Sequence, residues 1–250
     1  MAEGNRREEG SERMAIYVTS DLHGLRLEEL LRLLDKAGFG AEDWLFILGD
    51  VVDRQNDGGV DILRWLLTQP NAQLILGNHE AMLLSCSFLF EEITEESVAG
   101  FGVEQMELWQ TYTQNGGDVT LKALGALRKT HPDTVTDILD YLREAPLYET
   151  VEAGGTDYLL VHAGLGDFSP EKPLSAYTAD DFLWAGPTGD TQYYAHITTV
   201  VGHTPTVAYG REHKGKILHT PTWIDVDVGV PFGNPPALLR LDDLAEFYLE

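Results

Sequence analysis

Cysteine is almost absent from this sequence, which has 250 residues and a single thiol, Cys86. One cysteine excludes an internal disulfide framework, and such cysteine usage is typical of a reducing compartment. We therefore expect a cytoplasmic protein. Cys86 lies in the apolar run 81–90, which favours a buried thiol over a nucleophile.

Basic residues are also scarce, with 17 Lys and Arg against 41 Asp and Glu and a formal net charge of −24. This balance argues against nucleic acid or an anionic membrane as the main partner. A phosphorylated protein or a small phosphorylated substrate stays open, because bound cations can invert the local field. No apolar run is long enough to span a bilayer. Residues 1–13 are charged and lack an apolar core, so we expect a disordered tail there.

The first part of the chain alternates apolar runs with helical patterns. Runs 15–20, 44–48 and 73–76 predict buried strands, and leucine spacing predicts helices over 26–37 and 58–68. Two consecutive strand–helix–strand units favour a parallel sheet with right-handed crossovers.

The rest of the chain adds helices and then short strands. Residues 81–145 have a helical pattern and predict an insertion beside the sheet, which could act as a lid. From 147 the pattern is β-like, and a second sheet is expected from strands at 158–161, 198–201, 216–219, 223–228 and 237–241. The predicted fold class is α/β, with two mixed sheets flanked by helices in one domain over 14–250.

Polar clusters follow five of the predicted strands at the same end. They supply six candidate metal ligands: Asp21, His23, Asp50, Asn78, His162 and His203. A lone histidine at a strand end is usually structural, but the recurrence at five strands favours a site. Carboxylate, imidazole and amide oxygen suit Mn, Fe or Zn. Six such groups are too many for one tetrahedral site, so we expect two metals bridged by Asp50. A water between two metals would have its pKa lowered to about 7.

The clusters read Asp-x-His, Gly-Asp-x-x-Asp-Arg, Gly-Asn-His-Glu, His-Ala-Gly and Gly-His-Thr-Pro, in that order. In this pattern the sequence resembles the phosphoprotein phosphatase branch of the calcineurin-like metallophosphoesterases, especially the small bacterial and phage lambda-type serine/threonine phosphatases. The resemblance extends from Met14 to the end of the chain and includes 115–117 and 182–184. It implies a four-layer αββα sandwich.

The resemblance also implies a role for each ligand. Asp21 and His23 would hold the first metal, Asp50 would bridge, and the second metal would be held by Asn78, His162 and His203. Two divalent ions are implied, with Mn²⁺ as the first choice and Fe or Zn as alternatives.

The catalytic residues implied by the resemblance are His79, Asp53 and Arg54. Phosphate would be bound by Arg54, Asn78 and His79. His79, paired with Asp53, would protonate the leaving oxygen or assist the attacking water, and an imidazole oriented by a carboxylate suits that task. The planar guanidinium of Arg54 matches phosphate oxygens. The alternative for Arg54 is an ion pair with Asp53 or Asp57.

The sequence departs from the family pattern at two positions. Gln55 stands where members usually carry glycine, which would reshape the entrance to the site. The second phosphate-binding arginine, usually within two residues of the tryptophan, is missing after Trp184. Arg211 is a possible substitute.

The expected function is hydrolysis of phosphate monoesters by attack of a hydroxide bound to two metals. The first choice of substrate is phosphoserine or phosphothreonine in proteins. The alternative is a dinucleoside polyphosphate, as in a symmetrical diadenosine tetraphosphatase, or a small phosphodiester. A third interpretation, favoured by the missing arginine, is a degraded site that only binds metal or phosphate for regulation.

Overall fold

The structure is a computed structural model that describes residues 14–91, 94–95 and 100–249. The expected disordered tail, 1–13, lies outside the described residues, as do 92–93 and 96–99 of the expected insertion. None of the described helices is long and apolar enough to cross a bilayer. The expectation of one domain over 14–250 stays a prediction.

The first sheet is built on three parallel strands. They are β1 (Ile16–Thr19), β2 (Trp44–Ile47) and β3 (Ala72–Leu74). Strands that are buried on both faces have continuous apolar sequences, as β1 and β2 do. The two strand–helix–strand units expected from the sequence are confirmed.

Two helices make the crossovers between these strands. α1 (Leu27–Ala37) ends at Gly38, whose φ of 74° is the left-handed conformation typical of a residue that ends a helix. α2 (Val60–Leu66) packs against α1 and β3. The helix expected from residue 58 begins only at Val60, because Gly58 and Gly59 have φ of 64° and 77°.

The segment that follows β3 is helical, as expected. It contains α3 (Asn78–Ser85), α4 (Val103–Gln114), α5 (Asp118–Arg128) and α6 (Pro132–Glu144). Cys86, directly after α3, is buried, and burial raises the pKa of its thiol to about 11. The burial of this thiol, predicted from the sequence, is confirmed.

The second sheet has parallel central strands and antiparallel edges. Its order is β4-β5-β6-β8-β7, and the strands are β4 (Tyr148–Ala153), β5 (Thr156–Val161), β6 (Thr198–Val201), β7 (Leu218–His219) and β8 (Trp223–Asp225). β5, β6 and β8 are parallel, whereas β4 and β7 pair antiparallel to their neighbours. The short helix α7 (Ala179–Leu183) lies between β5 and β6 in the chain.

Alternate side chains of β5 pack on opposite faces of this sheet. Leu160 belongs to the core shared with the first sheet, whereas Leu159 and Val161 pack in a second cluster with Phe182 of α7. This is the two-residue period of a strand that is buried on both sides. The predicted fold class is confirmed: two mixed sheets are flanked by helices.

The prediction that 237–241 complete the second sheet is wrong. β9 (Ala237–Arg240) pairs antiparallel with β1, and β10 (Ala245–Tyr248) pairs with β9, so the first sheet has the order β10-β9-β1-β2-β3. Without β9, one edge of β1 would bury unpaired backbone groups. An apolar pattern indicates that a strand is buried but not which neighbour it pairs with.

The core of the first layer offers a stability test on adjacent leucines of α1. Leu30 is completely buried, whereas Leu31 is 41% exposed. We expect Leu30→Ala to lower the free energy of unfolding by about 2–5 kcal/mol, because it leaves a cavity. Leu31→Ala is the matched control and should change it by less than about 1 kcal/mol. Urea unfolding of both variants checks this, and equal losses would contradict the packing described.

Candidate active site

Four of the six candidate metal ligands lie on left-handed backbone, which residues with a side chain rarely adopt. Asp21, His23, Asp50 and His203 have φ of 52°, 41°, 54° and 69°. Such backbone is unfavourable by roughly 1–3 kcal/mol per residue and clusters at functional sites. All four follow the ends of β1, β2 or β6, as the sequence predicts.

Asp50 lies between two histidines, one near each of its carboxylate oxygens. Oδ2 is 3.6 Å from Nε2 of His23, and Oδ1 is 3.5 Å from Nε2 of His162. The possible ligand atoms of His23, Asp50 and His79 lie within 4.8 Å of one another, and so do those of Asp50, His162 and His203. Two groups that share one carboxylate form a candidate dinuclear metal site.

The other two predicted ligands join the same cluster. Asp21 Oδ1 lies 3.8 Å from Nε2 of His23, and its other oxygen accepts the backbone N–H of His203 at 2.8 Å. Asn78 Oδ1 lies 2.8 Å from Nε2 of His162 and 3.0 Å from Nδ1 of His203. The structure thus brings all six residues together, and their binding of metal stays a prediction.

His23 and His162 present bare nitrogens to the centre of the cluster. Nδ1 of His162 lies 2.6 Å from the carbonyl of Leu48, and Nδ1 of His23 lies 3.1 Å from that of Val52. Because a carbonyl oxygen only accepts, each Nδ1 carries the hydrogen and each Nε2 of a neutral ring has a free lone pair. Burial, and then the charge of Arg54, lower the pKa of His23 to about 2, so its ring is neutral.

The contact between His162 and Asn78 calls for a cation. Nε2 lies 2.8 Å from the amide oxygen, and in the neutral ring with hydrogen on Nδ1 both atoms are acceptors. Two lone pairs at this distance repel each other unless a positive charge contacts both. Imidazole nitrogens, an amide oxygen and carboxylates suit borderline divalent ions. The residues present therefore fit a pair of divalent metal ions.

Buried negative charge leads to the same expectation. Burial, followed by the charges of Asp21 and Glu80, raises the pKa of Asp50 well above its usual range. Burial also raises the pKa of Glu80. Carboxylates held together out of water repel one another, and divalent cations relieve that repulsion.

Glu80 is a site residue that the sequence reasoning did not single out. Its carboxylate accepts four backbone N–H groups, from Asp50 at 2.8 Å, Val51 at 2.8 Å, Val52 at 3.1 Å and Gly77 at 3.1 Å. It therefore fixes the turn that carries Asp50 and links this turn to α3. Its position directly after His79 could have drawn attention to it. A carboxylate at that position, however, suggests a metal ligand rather than an acceptor of backbone N–H groups.

The loops after β2 and β3 also contact each other directly through their main chains. A Cβ on Gly49 would lie 2.5 Å from Cα of Gly77, and Gly49 has a φ of 80°. A Cβ on Gly77 would lie 2.4 Å from Oδ1 of Asp50. A side chain at either position would thus separate the loops that carry Asp50 and Asn78.

His79 lies beside the candidate metal site, next to Asp53. Its Nδ1 is 2.7 Å from Asp53 Oδ2, and its Nε2 is 3.2 Å from Nη2 of Arg54. Arg54 itself is exposed and makes no ion pair with Asp53 or Asp57 in the structure as described. The three predicted catalytic residues are thus adjacent, and their roles stay a prediction.

Two further side chains near Asp53 were missed from the sequence. The hydroxyls of Tyr112 in α4 and Thr120 in α5 both donate to Asp53 Oδ1 at 2.6 Å. Tyr112 and Thr120 flank the 115–117 motif, and nothing in their residue types indicates a buried carboxylate partner.

Trp184 stands at the rim of the site. Its side chain is 49% exposed, and its ring meets that of His203 edge-on with centroids 6.0 Å apart. Arg211, the possible substitute for the missing arginine, lies exposed in the 3₁₀ turn Arg211–His213. Among the described residues, no hydrogen bond or ion pair connects it to the site. Nε2 of Gln55 is buried without a described hydrogen-bond partner.

Comparison with known proteins decides the family. The family model described as calcineurin-like phosphoesterase matches residues 14–226. The chain belongs to the calcineurin-like phosphoesterase family. This confirms the family expected from the motifs and, with it, the expectation of a phosphoesterase.

Individual curated proteins are similar to parts of the chain. A symmetrical bis(5'-nucleosyl)-tetraphosphatase of Acidovorax sp. is 29% identical over 171 residues, which cover 68% of this chain and 48% of that protein. The chain spans about half the length of the curated relatives it matches.

Two solved structures are similar in fold. One, provisionally described as a diadenosine tetraphosphatase, has a TM-score of 0.61 at 19% identity and covers 96% of this chain and 94% of its own. A serine/threonine phosphatase from Saccharomyces cerevisiae has a TM-score of 0.53 at 17% identity and covers 91% of this chain and 72% of its own. These likenesses concern the fold alone.

Because the candidate site concentrates buried carboxylates, divalent cations should stabilise the protein. With free Mn²⁺ at 100 times its Kd, the gain is about 2.7 kcal/mol per site, or a rise in Tm of about 5–10 °C for a chain of this size. Differential scanning calorimetry with Mn²⁺ and then with a chelator measures this rise.

Asp50→Asn should remove more than half of that rise, since Asp50 faces both groups of ligand atoms. Asp190→Asn, at an exposed loop position, is the matched control and should keep the full rise. The same rise in both variants would contradict a shared role for Asp50.

Proposed function

We propose that the protein hydrolyses dinucleoside polyphosphates, and that it cleaves a dinucleoside tetraphosphate symmetrically into two nucleoside diphosphates. The observation that carries this proposal is the description shared by the curated relatives, symmetrical bis(5'-nucleosyl)-tetraphosphatase, at 29% identity over 68% of this chain. It replaces phosphoserine and phosphothreonine as the first choice of substrate, because the likeness to protein phosphatases is one of fold.

Two divalent metal ions, with manganese as the first candidate, would supply positive charge to the phosphate oxygens. They would be held by Asp21, His23, Asp50, Asn78, His162 and His203. The two oxygens of Asp50 face His23 and His162 at 3.6 and 3.5 Å, which supports a bridging role. Glu80 holds the turn of Asp50 in place through the backbone.

Arg54 is the cation of the chain that is best placed to bind a phosphate. Its guanidinium is exposed beside the site, and Nη2 already lies 3.2 Å from His79. A planar guanidinium can donate two parallel hydrogen bonds to one phosphate group. Asn78 and His79 complete the phosphate contacts in this proposal.

His79 would protonate the leaving oxygen. Nδ1 donates to Asp53 at 2.7 Å, so Nε2 of the neutral ring accepts from Arg54. When Arg54 moves to the phosphate, Nε2 becomes free to take up a proton from solvent and pass it to the departing oxygen, while the attacking water releases a proton to solvent. Water adds across the cleaved phosphoanhydride bond, so that one product gains OH and the other gains H.

Trp184 offers a surface for a nucleobase. It is half exposed and contacts His203, one of the proposed metal ligands. Bases stack on exposed aromatic rings, with gains of about 1–3 kcal/mol per base. A base stacked here would help to hold a substrate for which the chain lacks the usual second arginine.

Substrate preference is the direct test of this function. We expect kcat/KM for diadenosine tetraphosphate to exceed that for a phosphoserine peptide by at least about 10-fold with added Mn²⁺, because only the dinucleotide gains from base stacking. Chromatography of the products should show ADP alone. A faster reaction with the phosphopeptide, or ATP with AMP as products, would refute the proposal.

The role of Trp184 has its own test. Trp184→Ala should raise KM for diadenosine tetraphosphate about 10-fold, whereas Trp184→Phe should keep most of the affinity because it retains a stacking surface. Trp109→Ala, at another exposed tryptophan, is the control and should leave KM unchanged. Steady-state kinetics decides, and unchanged KM in Trp184→Ala would exclude the stacking role.

A further inference from the structure

We propose that Tyr112 and Thr120 are positioning residues for the reaction, and that they hold the Asp53 carboxylate in the orientation in which it directs His79. In this view helices α4 and α5 are a fixed part of the catalytic apparatus rather than a lid. The inference rests on the proposed role of His79 in the proposed function, but not on the identity of the substrate.

The first observation is that the two oxygens of the Asp53 carboxylate have different partners. Oδ1 accepts the hydroxyls of Tyr112 and Thr120 at 2.6 Å each, and Oδ2 faces Nδ1 of His79 at 2.7 Å. Rotation of the carboxylate would break all three contacts. With Oδ1 held by two donors, Oδ2 is fixed towards His79, so the imidazole ring has one orientation.

The second observation is burial. Asp53 and Thr120 are completely buried, and Tyr112 is 1% exposed. Water is not available to replace a missing hydroxyl. A buried carboxylate that loses a donor therefore loses the whole free energy of that hydrogen bond. Burial raises the pKa of the Tyr112 hydroxyl above its ordinary value, so the hydroxyl keeps its hydrogen and remains a donor.

The third observation is the backbone of the same segment. Asp53 and Arg54 have φ of 79° and 69°, in the left-handed region. The N–H of Asp53 donates to Thr120 Oγ1 at 3.0 Å, and that of Arg54 donates to the carbonyl of Gly116 at 3.0 Å. Both α5 and the turn that precedes it therefore hold this backbone through hydrogen bonds.

Close packing makes the support rigid. A Cβ on Gly116 would lie 3.0 Å from Cγ of Arg54, and one on Gly117 would lie 2.5 Å from the ring of Tyr112. A lid that opened would have to break these contacts and expose a buried carboxylate. The contacts thus favour a fixed support over a movable cover.

A double-mutant cycle tests whether Tyr112 acts through His79. Tyr112→Phe removes one hydrogen bond to a charged group, and we expect kcat to fall about 10-fold, with KM and metal affinity unchanged. In a His79→Asn background the same change should lower kcat less than about twofold, because the residue that Asp53 directs is already gone. Equal losses in both backgrounds would overturn the proposal.

Thr120 supplies an independent pair of variants. Thr120→Val removes the hydroxyl at nearly constant shape and should lower kcat by about 10-fold or more. Thr120→Ser keeps the hydroxyl and should retain most of the activity. Equal loss in both variants would contradict positioning by the hydroxyl. If Thr120→Val does not fold, Tyr112→Phe and Thr120→Ser still decide.

Tyr141→Phe is the matched control. Tyr141 lies in α6, and its hydroxyl accepts the backbone N–H of Leu74 at 3.2 Å, away from Asp53. Its loss should lower Tm without lowering kcat, and a fall in kcat like that of Tyr112→Phe would overturn the proposal. Failure of the proposed substrate shows instead in the wild-type protein, as a preference for the phosphopeptide.

Discussion

Mutual repulsion between buried carboxylates is the constraint around which the site is built. Asp21, Asp50 and Glu80 are almost completely buried. The charges of Asp21 and Glu80 add to the effect of burial and raise the pKa of Asp50. Glu80 is compensated by four backbone N–H groups. Among the described residues, Asp50 accepts one backbone N–H, that of His79 at 3.0 Å, and its oxygens face the imidazoles of His23 and His162. The fold therefore concentrates negative charge that its own residues leave largely uncompensated.

The candidate metal ligands come from both sheets, so the site forms only when the two sheets are packed together. β1, β2 and β3 of the first sheet carry Asp21, Asp50 and Asn78 at their ends, and β5 and β6 of the second sheet carry His162 and His203. The carbonyl of Leu48 orients His162 across the gap between the sheets. The orientation of this candidate ligand in the second sheet thus depends on the first sheet.

Sequence patterns predicted much of this arrangement and missed what depends on long-range partners. Strand ends and residue types are local properties, which is why the α/β class and the gathering of the six candidate ligands were predictable. Their binding of metal stays a prediction. The pairing of β9 with β1 was not, since alternation of apolar residues does not encode a neighbour. Tyr112 and Thr120 were missed because their acceptor, Asp53, lies 59 and 67 positions away in the chain.

The backbone contact between Gly49 and Gly77 has a consequence for anyone who would re-engineer this centre. Side chains can adopt other rotamers, but two main chains in contact have no such freedom. The separation of Asp50 from Asn78 is therefore set by contact between two main chains rather than by the packing of side chains. The type of ligand residue can be exchanged in such a scaffold, whereas the spacing between ligands changes only when the two main chains move apart.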